Sequence, residues 1–596
     1  MIKKALSAQD LPNDVLVYIF EHLARADPPR HSKDRWPDAN VTISGALYDL
    51  SRRIPPEVIY TPHYHLGWII ATHVCRRWRN IFLSLSNLWA NIVFRLPQAF
   101  DTILYRSRDA PLDMTVRMLG LWGEKSLASL VDFALDHIGR ARSLRCLFSR
   151  EQGARVPDVI SSTTLPDLLY LTIINSSYSP YYRSDDIITS SILNLHASNL
   201  VAVTLSGIRC SFNSPSLRSF QYLGCGRIQD VDGYIFHVLK SNPMLEVLRY
   251  TMDCQPSNHA VDPPPSDGVI ELSRLRKLCV SNDARYGDAA YFFRRVSFPP
   301  TCTFHYSETA RPADLEGWHS PLDLCGYRLG QQPYDAVSIH GSTAEPSSVY
   351  HINTFFLDQC TESFGHFVAS YTGYACCTNS TPAEESGIFL APGVRLEMIE
   401  PHVPESDVPG GPGRWSFGDV LSSMVSHLRH EMITHLSLAN IEHYFPAYGQ
   451  DALVVALRPF TAVTTLSVLS ENGRFRLPST SAFQALVDGS AKEKRPVLPA
   501  LRSLTVGFGT TLYERVKNSS WGSEESDRWW RALLSFLEMR QSDGVPVATL
   551  RLNGWWEEEA VRERVQDTDV VHLQRARELV DQVVDDRTVD DLITYV

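Results

Sequence analysis

The sequence predicts a mixed protein, α+β to α/β in class. A small helical module at the amino end is followed by repeated strand–helix units stacked into an irregular solenoid with a curved, largely parallel sheet. Three observations predict it. Residues 11–23 carry apolar side chains at helical spacing. From residue 165 to residue 552 a short unit recurs: a leucine, two residues, another leucine, one residue, then a further apolar residue. Helix-like stretches separate many of the copies.

The first helix is expected from Leu11 onward. Pro12 suits the first turn, where its missing N–H is no loss and its fixed φ helps. Asn13 and Asp14 put polar and acidic groups where the helix dipole favours them. Val15, Leu16, Ile19, Phe20 and Leu23 recur at spacings of three and four and line one face. A second helix-like segment spans Leu66 to Leu83, with Val74, Trp78 and Ile81 expected on a common face. Ser86, Asn87, Leu88 and Trp89 close the unit.

These pieces resemble the F-box. The carrying residues are Leu11-Pro12, the helix containing Ile19, Phe20 and Leu23, the run Val74-Cys75-Arg76-Arg77-Trp78-Arg79, and Leu88-Trp89. With the Leu66-Gly67-Trp68 lead-in and Thr72-His73, the segment is similar to F-box-like proteins of mushroom-forming fungi. A typical F-box joins its first helix to the Val-Cys segment by a short link. Here residues 24–65 intervene, rich in proline and charge, and are expected to form a loop. The resemblance implies docking on a Skp-type adaptor, and through it on a cullin-based ubiquitin ligase, while the repeats hold a protein substrate that the sequence does not name. It implies adaptor contact by Leu11, Pro12, Val15, Leu16, Ile19, Phe20, Val74, Arg76, Trp78 and Ile81, some of which must also serve the module's own core. The chain is then a non-catalytic subunit. The alternative is a repeat-based binding scaffold without ligase coupling.

The expected organisation is a module over 1–96 with its insertion at 24–65, a helical linker over 97–160, a repeat domain over 161–556 and an acidic helical cap over 557–596. The cap carries 5 Arg against 12 Asp and Glu. In the linker, residues 112–118 alternate as a strand would, and residues 125–138 have helical spacing. Repeat units begin near Leu165, Asn199, Pro215, Pro243, Ser273, Met432, Ala462, Pro499 and Pro546. Taking Leu168, Leu200, Leu217, Leu245 and Leu275 as marks, the spacings are 32, 17, 28 and 30. That irregularity, and the missing asparagine ladder, make this a divergent leucine-rich-repeat pattern. Ordinary layering of the same βα units is the alternative packing. Residues 300–415 fit worst, with strands expected at Ala336–Ile339 and Arg395–Ile399 among long loops.

Composition narrows the rest. Hydrophobic content of 44% and charged content of 21% belong to a folded chain rather than a disordered one. A net charge of −11 argues against nucleic acid as the main partner. The first residues hold two lysines but no apolar core behind them, so no secretory signal is read. No apolar run approaches the roughly 20 residues that span a bilayer. The 11 cysteines are scattered without a Cys-x-x-Cys pair, as expected for buried thiols in a reducing compartment. The expectation is a cytoplasmic or nuclear protein with no cofactor, no metal and no membrane contact.

Motifs for chemistry fall short. His430 and His435 flank a glutamate as in a zinc-protease helix, but five apart, which takes them off a common face. His63 and His65 have no cysteine or carboxylate cluster beside them. Arg76, Arg77 and Arg79 are read as a solvated helix face rather than a phosphate site. In each of the pairs Trp529-Trp530 and Trp555-Trp556, one ring is expected in the core and the other is left open between packing and contact.

Overall fold

Each of the nine repeat units becomes the same piece of backbone, a tight turn and then a parallel strand. In this computed structural model the described residues are 11–31, 64–96, 99–115, 132–148, 155–175, 192–206, 208–223, 231–252, 268–283, 289–309, 327–344, 347–355, 393–401, 425–439, 450–469, 480–508, 523–556 and 559–589. His63 and most of the 24–65 insertion lie outside them. The chain divides into two compact units. One holds Met1–Leu275 with Thr378–Thr381, the other Arg276–Cys377 with Pro382–Val596.

In the first unit, the strands Leu112–Thr115, Ala141–Phe148, Tyr170–Asn175, Ala202–Ser206, Ser219–Leu223 and Val247–Met252 pair in that order, all parallel. The leucine that opens each unit sits in the turn before its strand, and Leu168, Leu200, Leu217 and Leu245 are all buried. The next apolar position is in register across the sheet, so Leu171, Val203, Phe220 and Leu248 form one buried row. Each such side chain contributes roughly 1.5–3 kcal/mol on burial, but only because its neighbours cover it.

A second ladder runs outside the strands. The amide just before each strand donates to its counterpart one unit back: Leu169 to Arg142, Val201 to Leu169, Arg218 to Val201 and Glu246 to Arg218, each at 2.8 Å. The turns therefore stack as the strands do, which satisfies backbone groups that a lone turn would leave to water.

The segment 97–160, expected to be a helical linker, holds the strand that its alternation suggested, Leu112–Thr115, and a second that it did not, Ala141–Phe148. Leu112, Met114 and Leu144 alternate with less buried positions, and the neighbouring strands supply hydrogen bonds that helical propensity could not outweigh.

In the second unit, Lys277–Asp283, Thr303–Thr309 and Gly393–Pro401 run parallel in that order. Ser347–Phe355 then pairs antiparallel with Gly393–Pro401 on one side and with Ala336–Ala344 on the other. From Ala336–Ala344 the parallel ladder continues through His435–Ala439, Thr465–Leu469, Ser503–Phe508, Thr549–Trp556 and Gln582–Val589. The irregular middle thus holds the strands read at 336–339 and 395–399, inside a sheet in which one reversed strand interrupts the parallel run.

Helices Gln450–Leu457, Thr480–Glu493, Ser523–Ser542 and Glu559–Leu579 alternate with the last five strands, and each packs on the next. Gly489 sets one of these crossings: a Cβ there would meet the methyl groups of Val454 at 2.5 and 2.6 Å. Buried Ser338, Ser437 and Ser467 lie side by side in register, so the strands here are covered on both faces, as parallel strands usually are. Arg540 is wholly buried and donates to the carbonyls of Val497, Leu498 and Leu501 at 3.3, 3.0 and 3.1 Å. Burial pushes its guanidinium down to about 10.

The carboxyl end corrects the expected helical cap. One helix, Glu559–Leu579, is followed by a strand, Gln582–Val589. Arg587 fastens it, donating to Asp569 and to both oxygens of Asp585 at 2.8 Å. Burial raises the Asp585 carboxyl, but the hydrogen bonds and charge of Arg587 outweigh it and hold the group below its ordinary range. Trp529 and Trp530 are both fully buried, and Trp530 donates to Asp569 at 2.7 Å, so that pair offers no open ring. The side chains of Trp555 and Trp556 lie outside the described set.

Candidate functional site

The amino-terminal module begins with helix α1, Asn13–Ala26. Pro12 stands just before it with φ −57°, the amide of Leu16 bonds back to the Pro12 carbonyl at 3.1 Å, and Asp14 lies in the first turn. No side chain of its own caps the helix at this end.

The segment read as one helix over 66–83 is two. Gly67–His73 is a 3-10 helix and helix α2 covers Arg76–Ser84. The break is at Cys75, extended with φ −156°, whose sulfur accepts the Trp78 amide at 3.4 Å. Val74 therefore does not share a helical face with Trp78 and Ile81, as its spacing had suggested. The cause is local: Thr72 turns its hydroxyl back onto the Ile69 carbonyl at 2.7 Å, and α2 takes its cap from the cysteine.

An aromatic core joins these pieces. Phe20 of α1 stacks on Phe82 of α2, ring centres 3.7 Å apart, and meets Trp78 edge-on at 5.1 Å. Trp68 stacks on the Phe82 ring at 5.3 Å and meets Trp89 edge-on at 5.1 Å. Trp89 donates to the Phe82 carbonyl at 2.9 Å, and the Arg106 guanidinium covers its ring at 4.4 Å. Burial lowers the pKa of Arg106.

The long insertion does not keep the helices apart, because it is pinched at its base. Arg30 and His31 pair antiparallel with His65 and Tyr64. The Trp68 amide donates to the Asp27 carbonyl at 2.8 Å. Gly67 makes this possible with φ +54°. A Cβ there would strike the Asp27 carbonyl oxygen and lie 2.7–2.8 Å from the Pro28 carbonyl group.

Of the ten residues the resemblance implied, the structure separates two groups. Leu16 and Phe20 are fully buried, and Leu11, Trp78 and Ile81 are half-buried. Pro12 and Arg76 are exposed, Val15 and Ile19 are each 39% exposed, and Val74 is 63% exposed. Helix α1 therefore carries two stripes. Leu16, Phe20 and Leu23 face inward, while Val15, Tyr18, Ile19 and His22, at spacings of three and four, face outward. Tyr18 is 71% exposed and lies parallel to the His22 ring at 6.2 Å. Leu66 and Ile70 are also exposed. Sequence reasoning passed over Tyr18, His22 and Ile70, although the same i, i+3, i+4 spacing marks the first two.

In the arginine run Arg76 and Arg79 are exposed, while Arg77 is half-buried. Arg77 reaches across to the start of α1, donating to Asn13 Oδ1 from Nε at 3.1 Å and from Nη2 at 2.6 Å, and to the Leu11 carbonyl at 2.5 Å. Arg79 donates to the Thr72 carbonyl at 3.2 Å.

Elsewhere, His430 lies in a 3-10 turn against the Phe460 ring, with Nε2 2.7 Å from the Val425 carbonyl, while His435 opens a strand beside the Thr434 hydroxyl. Burial lowers the pKa of His435, against the charge of Asp335. Among the described residues no group of three or more His, Cys, Asp or Glu side chains converges to hold a metal. No helix among them is long and apolar enough to cross a membrane. No protein-family model matches this chain, and no curated protein matches it.

Proposed function

We propose that the amino-terminal module is an F-box-like docking element that binds a Skp-type adaptor, linking the chain to a cullin-based ubiquitin ligase. The stacked repeats, read as a divergent leucine-rich-repeat solenoid, hold a protein substrate. One observation carries the reading: α1 buries one stripe in an aromatic core and leaves a second apolar stripe, Val15, Tyr18 and Ile19, in solvent. A helix that needs one stripe to fold has no folding use for the other, and side chains of this kind each contribute about 1.5–3 kcal/mol once covered. Several are needed, because association costs about 4–15 kcal/mol. Exposed Ile70 and Val74 add to them. In this reading Pro12, Val15, Ile19, Val74 and Arg76 meet the adaptor, and Leu16, Phe20 and Trp78 hold the helix in place. The repeating turn-to-turn hydrogen bonds and in-register apolar rows support the solenoid reading.

The test is co-expression with the Skp-type adaptor followed by gel filtration. The wild-type chain is expected to co-elute with it. Val15→Asp with Ile19→Asp is expected to abolish co-elution while the chain keeps its unfolding midpoint, since neither side chain is in the core. Leu16 is unsuitable for this purpose, because a buried aspartate there would unfold the module. Co-elution of the double variant at wild-type strength overturns the docking role. Failure of the wild-type chain to bind leaves a repeat scaffold without ligase coupling.

A further inference from the structure

Arg77 of α2 joins that helix to the start of α1 by three hydrogen bonds. The core rests on Phe20, Trp68, Phe82 and Trp89. Arg77 instead grips the two residues that flank Pro12, namely the carbonyl of Leu11 and the side-chain amide of Asn13. That end of α1 has no side-chain cap of its own, so it would otherwise fray. Arg76, the preceding residue on α2, is exposed. One helix thus sends consecutive arginines to different tasks, one outward and one back onto α1.

We propose that Arg77 and Asn13 are positioning residues for adaptor docking, an inference that rests on the docking role proposed above. The planar guanidinium binds Asn13 Oδ1 through two of its nitrogens, and its Nη2 also reaches the Leu11 carbonyl. This geometry fixes the direction of approach as well as the distance. It locks Pro12, and Val15 one turn later, to the helix that presents Arg76. The two halves of the docking face are then offered as one preformed surface, and the entropy of ordering the helix start is not spent at the moment of binding. Lysine cannot reproduce this, since it carries a single nitrogen and no fork.

The experiment uses the full chain, the Skp-type adaptor as probe, and calorimetric affinity alongside thermal unfolding. Asn13→Ala and Arg77→Lys are expected to weaken binding about tenfold, with a fall in the unfolding midpoint too small to account for it, because the lost bonds hold the end of α1. Asn13→Asp is expected to bind as wild type, because a carboxylate keeps both acceptor contacts and suits the first helical turn. Wild-type affinity in Asn13→Ala and Arg77→Lys, with binding lost in the Val15→Asp/Ile19→Asp control, overturns the clamp and leaves the docking reading standing. A fall in unfolding midpoint that accounts for the lost affinity makes the clamp merely structural and also overturns it. A wild-type chain that does not bind the adaptor removes both.

Discussion

Gly67 does two things at once. It takes a left-handed backbone conformation and lets the chain pass against the Asp27 and Pro28 backbone with no room for a methyl group. Gly67→Ala is expected to destabilise the module by about 2–4 kcal/mol, combining backbone strain with overpacking. Urea unfolding followed by tryptophan fluorescence would show it, since Trp68 is the next residue and lies in the core. The Leu-Gly-Trp run was visible in the sequence, but not what it does, because the residues it must pass are forty positions away. Leu16 and Ile19 show the same limit. Both belong to one apolar helical face by spacing, and only packing decides that one is core and the other is exposed at 39%. Arg540 is more hidden still. Nothing local distinguishes a buried arginine bonded to three carbonyls of a distant turn from one in solvent.

The breaking of residues 66–83 into a 3-10 turn and α2 shows why helical spacing overreads. Val74, Trp78 and Ile81 fit a period of 3.6, yet the Cys75 cap restarts the helix after Val74. The insertion is the opposite case, a long excursion whose two ends meet. Since Arg30 and His31 already pair with His65 and Tyr64, residues 32–63 can be replaced by an Asn-Gly turn that closes a hairpin. The shortened chain is expected to keep the near-ultraviolet circular dichroism of its tryptophan core. Its unfolding midpoint should stay level or rise, because a shorter closed loop saves roughly 2 kcal/mol of chain entropy. A lower midpoint or a lost aromatic signal would mean that the excursion holds the module together.

Along the chain, the repeat grammar was legible because each unit places its leucines at the same offsets from a turn, and stacked strands demand that. Less legible were the ends. In the linker at 97–160 the strand at 112 was legible but Ala141–Phe148 was not, and the acidic tail yields a strand behind its helix. Charge patterning there reads as helix, but Arg587, Asp585 and Asp569 pair across elements and make a charged edge strand tenable. Truncation after Trp556 is expected to strip Trp530 of its acceptor and leave Thr549–Trp556 as an unpaired edge. A lost bond of that kind costs about 1–3 kcal/mol, and the bared edge favours self-association. Gel filtration should show aggregates or oligomers, with a lowered unfolding midpoint. A monodisperse peak at unchanged midpoint would contradict this.

Spacing alone carried the helix at the start, the recurring strands and their apolar rows, because periodicity is a local property of backbone geometry. It could not say which apolar stripe of α1 is covered, that the insertion closes on itself, or that Arg77 grips the residues around Pro12. Each of those depends on a partner more than thirty residues distant, and a side chain's neighbours across the fold, not its neighbours in the chain, settle whether it is core, clamp or free surface.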